Sequence, residues 1–162
     1  MKYIKTGVWI LVLSLLYAGG LLVFNGLSAE LLYVFSGLYA YKFRDIRSSV
    51  AVALVCGILM SGLGGRGFAF SLLSCVYFSA FCLVIPKIKY EYVVIILCVL
   101  LGMVIFEGLF YMLFCMDYLP ALPALLTIVL PASLYNTVIG ICIFGLMKKI
   151  YSVKEKFIFI GR

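Results

Sequence analysis

The stretch LPASLYNTVIGICIFGLMKK, residues 130–149, decides how the rest of the chain is read. It is a long apolar run opened by Pro131, interrupted by the amide of Asn136 and closed by Lys148 and Lys149. Ala132, Asn136 and Gly140 recur at four-residue spacing, so on a helix they form one narrow stripe of small and polar groups. An amide in such a setting needs a partner inside the membrane, and small neighbours let another helix come close enough to supply it. The stretch predicts a membrane helix with a packing face.

The composition around it agrees. Of 162 residues, 67% are hydrophobic and 12% charged, against a charged quarter in soluble domains. A soluble domain of this size could not hide that much apolar surface, so the chain reads as an all-α integral membrane protein. Its formal charge of +7 sits between apolar blocks and not in one stripe, which is the pattern of topology signals in a chain surrounded by membrane lipid and not of a surface for nucleic acid or anionic lipid. Histidine is absent, which removes the commonest general base and metal ligand. Six cysteines lie scattered in apolar segments without a C-x-x-C pair, so neither a metal site nor a disulfide framework is indicated. No cofactor is expected.

Six apolar segments divide the chain, predicting helices at about 7–24, 27–43, 46–63, 68–85, 92–114 and 124–147, with a basic tail over 148–162. Lys2 and Lys5 before the first run imitate a signal peptide, but the run continues to spanning length and is expected to stay as a helix. The second and third segments are short for the roughly 20 residues that cross hydrocarbon. The cluster Gly62-Leu63-Gly64-Gly65-Arg66-Gly67 reads as a turn, since a phosphate loop needs a preceding strand and a following Lys-Ser/Thr. Ser71, Cys75 and Ser79 share a face suited to helix contact. Pro131 should kink or break the last helix, because it lacks an N–H and crowds the preceding turn. The tail carries Phe157-Ile158-Phe159-Ile160, expected to lie on the membrane surface.

With both termini cytoplasmic, twelve of the thirteen basic residues fall inside and only Arg66 outside, the asymmetry the positive-inside rule asks for. Glu30, Glu107 and Asp117 then collect with Arg66 in the outer half. A carboxylate within a spanning helix costs on the order of 2.5–3.5 kcal/mol and therefore faces protein and a partner. Arg66 is expected to pair with Glu30 or Glu107, either as a structural ion pair or as part of a proton or ligand site. Asn136 reads as interhelical glue, with Glu107 on the neighbouring segment as one candidate partner. Tyr3, Tyr41, Tyr90, Tyr92, Tyr118 and Tyr151 fall near helix ends, as aromatic belts do. Two carboxylates without a nucleophile, histidine or metal cluster make no enzyme signature.

The last helix also carries a resemblance. Leu130-Pro131-Ala132-Ser133-Leu134-Tyr135-Asn136, then an apolar run and a Lys pair, resembles the final helix of the rod shape-determining protein MreD family. Upstream, Gly57-Ile58-Leu59-Met60-Ser61-Gly62 followed by Gly67-Phe68 resembles the family's Gly-Leu-Leu-x-Asp turn and glycine-rich loop, with Ser61 in the place of the Asp. The family's early Pro-Asp-Leu falls near Ser28-Ala29-Glu30-Leu31. The resemblance implies a six-transmembrane-helix bundle similar to the S components of energy-coupling-factor transporters. It implies a non-catalytic scaffold of the bacterial elongation machinery in the cytoplasmic membrane, supporting side-wall peptidoglycan synthesis. MreC is the implied partner, with MreB, RodA and a class B penicillin-binding protein in the larger complex. Pro131 and Asn136 would shape the last helix, and Gly57 and Gly62 the third helix and its turn. The other expectation is a true S component binding a vitamin-like ligand among Glu30, Arg66, Glu107 and Asp117.

Overall fold

A helix of thirteen residues sits at the centre of this protein, and longer helices surround it. The computed structural model describes residues 2–20, 23–24, 27–64, 67–87, 90–114 and 121–158. In chain order these form α1 (Lys2–Ala18), a two-stranded ladder of β1 (Val23–Phe24) and β2 (Leu27–Ser28), α2 (Leu31–Phe43), α3 (Ile46–Gly64), α4 (Phe68–Val84), α5 (Glu91–Phe114), α6 (Ala121–Ala124) and α7 (Leu130–Ile158). The strands pair antiparallel, Val23 with Ser28 and Phe24 with Leu27.

Three stretches are long and apolar enough to cross a membrane: 46–63, 91–114 and 125–151. The described residues are almost all helical, and these three helices have the length and composition of membrane spans. α1 and α4 are apolar but shorter. The third segment, expected to be short, therefore reaches spanning length. The second does not, since thirteen residues rise about 20 Å against a hydrocarbon core of about 30 Å.

α2 is apolar on every side, and residues 31–41 are all buried. A helix apolar all round belongs inside, and here α3, α4 and α7 supply most of the wall. The first segment ends at Ala18, short of the expected 24, and the chain turns back through the small ladder before α2 begins.

Two expectations about helix ends are corrected. Gly62 and Gly64 belong to α3, so the glycine-rich turn is shorter than its composition suggests. Of the kink or break expected at Pro131, the break does not occur. A π-helical turn, Leu125–Val129, joins α6 to α7, with helical dihedrals at both flanking residues and the Leu130 N–H donating to Leu125 O. That wide turn lies just where Pro131 cannot donate to residue 127, so the ladder is widened and continues. The helix then runs to Ile158, into what was expected to be a tail.

Phe78 locks the bundle. Its ring stacks on Tyr33 at 4.5 Å and lies between two glycines. A Cβ at Gly37 would approach the ring to 2.2 Å, and one at Gly102 to 2.4 Å. α2 and α5 thus reach the same ring from opposite sides only because neither has a side chain there. Arg44, at φ 56, ends α2 and donates to Leu83 O (2.8 Å) and Ile85 O, closing the C-terminus of α4.

Candidate functional site

The polar groups inside the bundle gather where α2 begins. Glu30 precedes α2, is 1% exposed, and offers no side-chain cap to the helix. Its backbone N–H donates to Asn136 Oδ1 at 2.6 Å, and Asn136 Nδ2 donates back to Ala132 O at 2.9 Å. Both ends of the amide are used. The Tyr17 hydroxyl of α1 donates to Glu30 Oε2 at 3.3 Å. One residue thereby ties α1, α2 and α7 together.

The physical need is plain. Non-helical backbone at membrane depth is tolerated only where protein satisfies its polar groups. Asn136 lies eleven residues into the 125–151 span, about 16 Å along the helix, and there it meets the first turn of a helix too short to span. Gly140, one turn on, lets α7 close in. A Cβ there would be 3.2 Å from Val34 of α2 and 3.3 Å from Val99 of α5. Ala132, Asn136 and Gly140 are all buried.

Glu107 of α5 is also buried, at 8% exposure. It acts electrostatically on Tyr33, whose hydroxyl donates to Gly102 O at 2.9 Å. Arg66 and Asp117, and with them the expected Arg66 ion pair, lie outside the described residues. Gly57 is a close-approach site, since a Cβ would come within 2.7 Å of Leu72 Cα on α4. Gly62 differs. A Cβ there would meet nothing within 4 Å, so this glycine brings no described helix closer. Among the aromatic-belt residues, Tyr3, Tyr90 and Tyr92 are exposed, but Tyr41 is 2% exposed and belongs to the core. Sequence reasoning placed it at the surface because it sits near a helix end.

At the opposite, lysine-bearing end, Lys148 Nζ pairs with Glu91 at 2.5 Å and lies over the rings of Tyr92 and Phe144. Lys87 and Lys42 lie close enough to act on the same carboxylate. The pair joins the start of α5 to α7. Sequence reasoning missed it, although Glu91 opposite a run of basic residues was its available signal.

Among the described residues, no group of three histidine, cysteine, aspartate or glutamate side chains is placed to hold a metal ion. Two apolar clefts open on the sides of the bundle. One, of about 470 Å³, lies between α4 and α5 and is floored by Tyr33, Phe78 and Phe106. The other, of about 540 Å³, lies between α1 and α3. The site as a whole orders the backbone where α2 begins. No protein-family model, curated protein or solved structure matches this chain.

Proposed function

We propose that this chain is a non-catalytic membrane scaffold of the MreD kind, holding an MreC-like bitopic partner within the bacterial elongation machinery. The observation that carries the reading is the use made of the last helix. Asn136, one of the two residues that the resemblance assigns to shaping the last helix, holds the start of α2, and Pro131, the other, follows the π-helical turn. Both act in assembly of the bundle, as expected of a scaffold whose polar groups serve its own fold. In this reading the lysine-bearing end is cytoplasmic and all six helical segments are embedded in the cytoplasmic membrane, α2 incompletely.

Purification of the full chain from its native membrane tests this. Recovery with a partner of one membrane helix and an extracytoplasmic coiled coil is the expected result. Recovery with a tightly bound small molecule and an ATPase module would instead identify a transporter S component, the reading that Glu30 and Glu107 favour as buried carboxylates. A reporter fused after Lys156 should be active only in the cytoplasm; activity on the outer face would overturn the orientation.

A further inference from the structure

The cleft between α1 and α3 has the dimensions and charge of a lipid site. It runs along α1 from Tyr3 to Leu15 and along α3 from Ser48 to Leu59. Twelve residues of helix rise about 18 Å, close to the roughly 15 Å depth of one leaflet's hydrocarbon. The groove, of about 540 Å³ with an almost wholly apolar lining, has room for a hydrocarbon chain, about 4–5 Å across from carbon contact distances.

The channel's floor is made by small residues. Gly7, Ser14, Ser48 and Ala51 line it, and a Cβ at Gly7 would meet nothing within 4 Å. Its hydroxyls are turned to the protein: Ser14 donates to Ile10 O at 2.7 Å and Thr6 pairs with the Tyr151 hydroxyl at 3.1 Å. The interior is therefore apolar in effect. At its membrane-surface end the charge changes. Lys2 and Lys5 stand in the first turn of α1, and Arg47, exposed, immediately precedes the lining residue Ser48. Asp45 beside them is engaged in the first turn of α3, accepting from the Ser48 N–H at 3.3 Å. Lys5 Nζ donates to Ile150 O at 2.9 Å, which spends one of three ammonium donors.

We infer that the α1–α3 cleft holds one acyl chain of an anionic glycerophospholipid from the leaflet at the lysine-bearing end, with its phosphate on Arg47 and Lys5. The bound lipid completes the contact between α1 and α3.

Native mass spectrometry of the full chain tests this, with detergent-solubilised protein mixed with phosphatidylglycerol or phosphatidylcholine of identical acyl chains. Phosphatidylglycerol adducts should persist preferentially. Arg47→Gln should lower that preference about fivefold, the effect of one basic contact on a net negative headgroup, with a smaller loss for phosphatidylcholine, whose phosphate is offset by its own choline. Gly7→Leu fills the channel and should abolish retention of both, with the thermal transition of the lipid-free protein kept. Gly108→Leu on α5, where a Cβ likewise meets nothing, should change neither. Equal retention of the two lipids by the unsubstituted chain overturns the headgroup assignment. Phosphatidylglycerol adducts undiminished in Gly7→Leu overturn the cleft, as does a dimer of the chain that Gly7→Leu disrupts and lipid does not.

Discussion

α2 and α5 are both apolar nearly from end to end, and neither carries an amphipathic stripe. They occupy opposite environments. α2 buries residues 31–41 without exception. α5 turns Val93, Leu97, Leu101, Ile105 and Leu109 outward, each about half exposed, in a row at four-residue spacing, and keeps Val99, Gly102, Met103 and Phe106 within. In water the outward row would be a liability, but lipid is as apolar as leucine. Hydrophobic pattern therefore cannot separate the two helices. Length and the polar groups at their ends do. α5 has the residues to cross and begins at the charged Glu91, whereas α2 begins inside the protein and needs Asn136.

The Phe78 ring touches both helices, so the largest effect is expected there. Phe78→Ala removes the stack on Tyr33 and empties the space between Gly37 and Gly102. Loss of about 3–5 kcal/mol is expected, measured as thermal or denaturant unfolding in a fixed detergent. A change under about 1 kcal/mol would mean that α2 and α5 do not share this wedge.

Asn136→Leu comes next. It leaves the Glu30 N–H buried without the acceptor it has now, at a cost of about 1–3 kcal/mol. Hydrogen exchange sharpens the measurement. Exchange at the first turn of α2 should speed up, while α5 exchange should stay unchanged. Faster exchange in both helices alike would show that Asn136 holds the whole bundle and not the start of α2.

How much of this was legible in the sequence follows from the same comparison. The stripe of Ala132, Asn136 and Gly140 was readable, because a lone amide and a glycine at helical spacing in a greasy segment have few other uses. The partner was not. A backbone N–H has no residue signature, so the sequence points toward the Glu107 carboxylate or an external partner, while the structure shows Asn136 accepting from the main chain at Glu30. The central place of α2 was hidden because a short apolar run reads equally as a thin span or a buried core helix. Pro131 signalled a disturbed turn, yet a π turn and a break look the same in sequence. Phe78 was one phenylalanine among thirteen; only the glycines facing it from α2 and α5 single it out.

A smaller effect is expected from the ion pair that starts α5. Lys148 and Glu91 are 39% and 29% exposed in their side chains. Water therefore screens the pair, and Glu91→Gln should cost about 0.2–1 kcal/mol in low salt and less in high salt. A loss above about 2 kcal/mol, unchanged by salt, would show that the end of α5 is as buried as the start of α2.

The smallest effect gives the sharpest test. Leu101 stands in the outward row of α5 at 52% exposure, and Leu38 lies in α2 at 2%. Both are leucines within apolar helices. Leu38→Ala leaves a cavity in packed protein and should cost about 2–5 kcal/mol. Leu101→Ala leaves no cavity, because lipid or detergent fills the space, and should stay within about 0.5 kcal/mol. The ratio of the two losses measures what separates the helices, free of helix propensity, because the same substitution is made in each. If Leu101→Ala costs as much as Leu38→Ala, the outward row of α5 is covered by protein in the membrane. That row would then be a surface on which another helix sits.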